Sequence, residues 1–175
     1  MDRLSALYGR LLDALALVGG ALLFLMMLMI CVDVLLRNVA LFDGLRGLEW
    51  SNEISEAMLY LITMLAAPWL LRRGQHIRVD IVLRAIPKQL AWYLEWVCDV
   101  IALGCCVVMV FYGTQMAAAS KAAGSLSIKT LVTPEWWLLA PLPVAFALLG
   151  IEVLFRMQRL YHAERAPRSD AVSAA

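Results

Sequence analysis

The groups in this sequence that are able to do chemistry are fourteen carboxylates, two histidines and four cysteines. Their spacing decides what chemistry is open to them. Haem ligation in a four-helix membrane subunit needs histidines inside the spans as axial ligands, but His76 lies in a basic stretch and His162 near the C-terminal tail. A small proton-coupled exporter needs an ionisable residue deep in its first apolar run, and between Asp13 and Asp33 there is none. Cys31, Cys98, Cys105 and Cys106 all fall inside apolar runs without CxxC or Cys/His ligand spacing, so they read as small core residues. No nucleophile stands with a base, and no Gly-rich phosphate cradle appears. The expectation is a protein without catalytic residues, metal or cofactor: not an enzyme.

What remains is charge at the borders of apolar runs. Asp33 and Arg37 stand four apart with the acid first, the favourable helical order. Glu49, Glu53 and Glu56 recur at i, i+4 and i+7 and make an acidic stripe beside Trp50, which suits either a solvated face or a docking surface. Asp99 is the one acid set within an apolar run, a turn or so beyond Trp92 and Trp96. An acid at the bilayer centre costs roughly 2.5–3.5 kcal/mol on insertion scales, so it should meet a hydroxyl or cation on another helix or subunit. Glu152 and Arg156 form a further i, i+4 pair. Arg37, Glu49, Trp50, Glu53, Glu56 and Asp99 are therefore the candidate scaffold or partner contacts. Arg72, Arg73, His76, Arg78, Arg84 and Lys88 form a basic cluster that sets topology or meets anionic headgroups.

The elements that must position these residues are membrane spans. Apolar residues make up 63% of the chain and charged ones 17%, against about 45–50% and 25% in soluble domains. A span needs about 20 apolar residues, and a single membrane domain over 1–175 accommodates four, at about 14–34, 54–71, 97–119 and 136–155. A short amphipathic piece with Arg3 and Arg10 precedes the first, a basic loop at 72–91 follows the second, and a flexible tail occupies 165–175. Trp92, Trp96, Trp136 and Trp137 read as interfacial anchors. Gly124, Ser125, Ser127 and Thr130 mark a polar connection, after which Thr133 and Pro134 read as a cap and first-turn proline for span four, bent near Pro141 and Pro143.

Of the fifteen Lys and Arg residues, eleven (Arg3, Arg10, Arg72, Arg73, Arg78, Arg84, Lys88, Arg156, Arg159, Arg165 and Arg168) fall on one side of this arrangement, leaving Arg37, Arg46, Lys121 and Lys129 on the other. Both termini are therefore expected in the cytoplasm. The same arrangement brings Arg37 and Glu53 to one level on adjacent helices, within reach of an ion pair, with Asp33 competing for Arg37 from one turn earlier. A net charge of +1 gives no footprint for nucleic acid.

Taken in order, Arg37, then Glu49-Trp50-Ser51-Asn52-Glu53, an apolar run into Arg72-Arg73-Gly74-Gln75-His76-Ile77-Arg78-Val79-Asp80, then Ile86-Pro87 and a proline-tryptophan start to span four resemble the small membrane subunit of the tripartite ATP-independent periplasmic (TRAP) transporters, the DctQ-like family. The likeness covers nearly the whole chain and is most specific after span two. Where the family often has a glycine late in that span, this chain reads Ala66-Ala67-Pro68. The resemblance implies a multi-pass protein of the bacterial inner membrane that pairs with a large permease subunit. It also implies a periplasmic binding protein that delivers an organic acid, and secondary symport driven by a cation gradient, commonly sodium. The ion and substrate sites would belong to the large subunit, leaving this one as a scaffold set in membrane lipid. The alternative is a non-transporting accessory or assembly subunit of another inner-membrane complex.

Overall fold

The computed structural model describes residues 2–38, 48–74 and 88–162. Within them the chain forms α1 (Asp2–Asn38), α2 (Ser51–Arg72), α3 (Lys88–Ala123), a hairpin of β1 (Leu126–Ile128) and β2 (Val132–Pro134), the short α4 (Trp136–Leu139), and α5 (Pro141–His162). Four stretches are long and apolar enough to cross a membrane: Ser5–Asn38, Ser51–Arg72, Trp92–Ala123 and Trp136–Tyr161. This is the four-span, all-α membrane architecture that the apolar runs imply, with a small hairpin added.

The helices are longer than the apolar runs. At 1.5 Å per residue, the 37 residues of α1 and the 36 of α3 reach about 55 Å, well beyond about 30 Å of hydrocarbon. The opening amphipathic piece is accordingly not separate, since α1 runs unbroken from Asp2. The loop expected at 72–91 is shorter at both ends, with Arg72 in α2 and Lys88 in α3. Both described loop entries turn on glycine: Gly74 has φ 66° and Gly124 φ 63°, values that cost other residues a Cβ clash. At Gly124 the Ser125 N–H donates to Ser120 O at 3.1 Å and the Gly124 N–H to Lys121 O at 3.3 Å. These two bonds make a Schellman end, which stops α3 and sends the chain into the hairpin.

Packing is serial: α1 lies on α2, α2 on α5, and α5 on α3. A small residue sets one of the contacts, since a Cβ at Gly113 would come within 2.7 Å of Leu142 Cδ2, while Gly19, buried on α2, leaves room for an ordinary contact 3.9 Å from Leu65 Cβ. The core is thin, with Leu12, Met58, Cys106, Ala145, Val153 and Leu160 as its buried apolar members. Only Cys106 of the four cysteines is buried, so Cys31, Cys98 and Cys105 are not the core residues expected of them. They sit on the exposed helix surface, among side chains as exposed as Leu17 (77%) and Val107 (62%).

The start of span four departs from expectation. Thr133 and Pro134 belong to β2, and the first helical turn begins at Trp136 after Glu135, which makes no side-chain capping bond. Ala140 keeps helical dihedrals (φ −62°, ψ −37°) and donates to Trp136 O, so α4 passes into α5 without leaving helical geometry, and Pro141 and Pro143, which carry no N–H, remove hydrogen bonds at the junction.

Candidate functional site

Polar side chains gather at the two ends of the bundle. At the end holding the start of α1, the end of α2 and the end of α5, the centre is Glu152, fully buried at 0% exposure. Arg72 reaches it from α2, with Nη1 donating to Oε2 at 3.1 Å, and Arg159 donates to Oε1 from two turns along α5. The other nitrogen of Arg72 donates to the Ser5 carbonyl at 2.8 Å and to Ser5 Oγ at 3.3 Å, while its guanidinium lies 5.8 Å from the Tyr8 ring centroid. Tyr8 in turn donates to Leu148 O at 2.7 Å. One arginine thus ties α1, α2 and α5 together. Gly9 leaves room for it, because a Cβ there would stand 2.9 Å from Arg72 Nη2.

Two further ties flank this centre. Trp69 Nε1 donates to Asp13 Oδ1 at 2.8 Å, and Arg73 lies 3.5 Å from the same oxygen while stacking 4.9 Å over the Trp69 ring. Asp99, buried on α3, stands 3.2 Å from Arg156 Nε on α5.

At the opposite end the acids hold backbone. Asp33 accepts the Leu48 N–H at 2.7 Å and Arg37 Nε at 2.9 Å, joining the end of α1 to the chain entering α2. Glu53 accepts the N–H groups of Thr130 and Leu131 at 2.6 and 2.9 Å, so it caps the turn of the hairpin. Glu56 accepts Lys129 Nζ at 2.9 Å, and that bond, together with its charge, holds the Lys129 ammonium above the ordinary lysine value. Between α2, the hairpin and the head of α5 lies a groove of about 550 Å³, lined by Ala57, Tyr60, Leu131, Thr133, Trp137 and Leu142.

The model of the family described as tripartite ATP-independent periplasmic transporters, DctQ component, matches residues 26–163. The chain belongs to this family. No curated protein matches it. The DctQ match begins partway along α1 and ends just past α5, so it takes in all of α2, α3, the hairpin and α5.

Set on this DctQ chain, the residues singled out from sequence divide clearly. Asp99 has the cation on another helix that its depth required. Arg37 and Glu53 do not pair with one another among the described contacts: Arg37 goes to Asp33, and Glu53 to the hairpin backbone. Glu152 bonds Arg72 and Arg159 rather than Arg156, four residues on. Arg72 turns inward to an internal partner, whereas Arg73 stays exposed. Glu49 and Trp50 are exposed ahead of α2, as is Glu56 within it. Trp92 and Trp96 pack edge to face 6.0 Å apart, as do Trp136 and Trp137, with Lys121 5.2 Å over the Trp136 ring. His76, Arg78 and Arg84, the side chain of Lys88 and the tail at 165–175 lie outside the described residues. Sequence reading missed Ser5, Tyr8, Gly9 and Asp13, which carry no local pattern, and the strand character of the stretch around Ser127.

Proposed function

We propose that this DctQ-family chain is the scaffold subunit of a cation-coupled TRAP importer. It spans the bacterial inner membrane, pairs with a large permease subunit, and works with a periplasmic binding protein that delivers an organic acid. The observation that carries the scaffold role is the contrast between exposed apolar helices and internally bonded charges. Leu17 (77% exposed) and Phe24 (59%) on α1, and Val107 (62%) and Phe111 (58%) on α3, leave much of the apolar surface of these two helices uncovered by the chain itself, for lipid and a protein partner, whereas α2 is largely half-buried. Asp99, Glu152 and Arg72 are meanwhile engaged in holding helices to one another. The excess of Lys and Arg at the ends of the chain and in the basic stretch supports an orientation with both termini in the cytoplasm. The hairpin then lies on the periplasmic side, where Glu49, Trp50 and Glu56 are exposed to the binding protein.

The test is uptake into proteoliposomes under an imposed sodium gradient, with this chain, the large subunit and a loaded binding protein. Uptake is expected only with all three. Robust uptake by this chain alone would overturn the scaffold role, and full uptake in its absence would remove it from the transport unit.

A further inference from the structure

We propose that the outer face of the β1–β2 hairpin is a lipid-contacting surface, with Leu126, Ile128 and Val132 resting in the interfacial layer of the leaflet beside it. The pairing puts Leu126 opposite Pro134, Ser127 opposite Thr133, and Ile128 opposite Val132. Cross-strand partners share a face and neighbours along a strand alternate, so one face carries Leu126, Ile128, Val132 and Pro134 and the other carries Ser127 and Thr133. The apolar face is turned out: Leu126 is 56% exposed, Ile128 82% and Val132 61%. Ser127 and Thr133 are half-buried and line the groove against α2. A hairpin laid on a helical bundle in water would have the opposite arrangement, with apolar side chains turned toward the groove and polar ones toward solvent.

The backbone is fitted to the same surroundings. Irregular chain beside lipid is tolerated where its polar groups find partners within the protein. Here the Thr130 and Leu131 N–H groups donate inward to Glu53, and the Glu135 N–H closes the hairpin base on Ser125 O at 3.1 Å. The flanks match the headgroup layer. Trp137 is 60% exposed beside Trp136, which carries Lys121 over its ring, and indoles with cations collect at that level, where anionic phosphates face them. Met116, two turns before the end of the spanning helix α3 that leads into the hairpin, is likewise 62% exposed. A standard protein interface takes about 20–30 residues a side, whereas interfacial seating needs only a few apolar side chains above a cationic rim. Lipid is therefore the occupant that the patch fits.

The test places a single cysteine at position 126, 127 or 128 (Leu126→Cys, Ser127→Cys, Ile128→Cys) in a full-length chain whose four native cysteines are replaced by alanine. Each is labelled with an environment-sensitive fluorophore and put in nanodiscs of phosphatidylethanolamine and phosphatidylglycerol, with and without the large permease subunit. Blue-shifted emission, quenched by lipids carrying a nitroxide high on the acyl chain, is expected at 126 and 128 but not at 127, in both preparations. Iodide-accessible emission at 126 and 128 would overturn the proposal. So would shielding that appears only with the large subunit and is insensitive to the nitroxide lipids, which would assign the face to protein. Should the labelled chains fail to fold, the unaltered chain is photolabelled with a diazirine phospholipid. Adducts across 126–132 are expected, and their absence there beside adducts on α3 would refute the proposal.

Discussion

Replacing Arg72 with methionine removes the cation that reaches the fully buried Glu152 from another helix. Breaking a buried ion pair by taking away one member costs about 3–5 kcal/mol, because the remaining charge is left without compensation. Two features of the site adjust that range. Arg159 still bonds Glu152, which lowers the loss, while the bond from Arg72 to the Ser5 carbonyl disappears as well. Bonds of that charge-assisted kind contribute about 1.5–3 kcal/mol. The two terms share one side chain and do not add in full, so a net loss of about 3 kcal/mol is expected, more than a hundredfold in the folding equilibrium. Arg159→Met removes a side chain that is 56% exposed and should cost under about 1 kcal/mol, since exposed pairs are screened. The double change Arg72→Met with Glu152→Leu leaves no buried charge unpaired, since Arg159, which also loses Glu152, is 56% exposed, and should return to within about 1 kcal/mol of the parent. Reversible unfolding in mixed micelles, titrated with denaturing detergent and followed by circular dichroism, measures all three. Equal losses for Arg72→Met and Arg159→Met, or a double variant as unstable as Arg72→Met, would refute the assignment of Arg72 as the inter-helix tie.

Gly9→Ala should destabilise the native chain by about 1–3 kcal/mol, the usual range for overpacking, because its Cβ would crowd an Arg72 guanidinium pinned by Glu152 and Ser5. In the Arg72→Met background the same change should become neutral or stabilising, as the helix preference for alanine over glycine is about 1 kcal/mol. The unfolding titration reads that change of sign. Asp33→Ala should cost more than Arg37→Ala, about 1–3 against under about 1 kcal/mol, since Asp33 holds the Leu48 N–H as well as Arg37. A double-mutant cycle should couple Asp33 to Arg37 and leave Arg37 and Glu53 uncoupled. Glu53→Ala should speed hydrogen exchange at Thr130 and Leu131, detected by mass spectrometry, whereas Lys129→Met should leave those two amides protected, because the Lys129 ammonium bonds Glu56 and acts on Glu53 only through space.

Much of this fold was legible because a membrane span declares itself by length and apolarity alone, without register or long-range pairing. Four runs of that kind gave four helical spans. The depth of Asp99 within its run was likewise enough to require a partner, and Arg156 supplies it. Three-residue strands leave too short an alternation to read, and Thr133-Pro134 also fits a helix start, so the hairpin passed for a polar connection. Local rules also misplaced Glu152. An i, i+4 pair contributes about 0.2–0.5 kcal/mol on a helix surface, a preference easily outweighed when a buried carboxylate can take a cation from a helix 80 residues away in sequence. Nothing near Arg72 in the sequence distinguishes it from Arg73, although one turns inward and the other stays exposed.

The placement of these ties follows from the medium. In water, four helices of this composition would be driven together by their apolar faces. Within a bilayer the lipid tails are as apolar as the side chains, so association rests on close packing and polar bonds between helices. A chain that buries so few apolar residues must obtain its geometry from the second source. The described contacts accordingly place an inter-helix polar tie at each helix pair that packs closely near the basic end: α1 to α2 through Ser5–Arg72 and Asp13–Trp69, α2 to α5 through Arg72–Glu152, and α5 to α3 through Arg156–Asp99. At the other end Asp33 and Glu53 bind backbone instead, fixing the approach to α2 and the turn of the hairpin. The helix positions are thus held at both ends by polar groups, and much of the apolar surface of α1 and α3 between them is left uncovered. An apolar surface left open between fixed ends is what the proposed scaffold role calls for, since it can meet a partner without the helices rearranging.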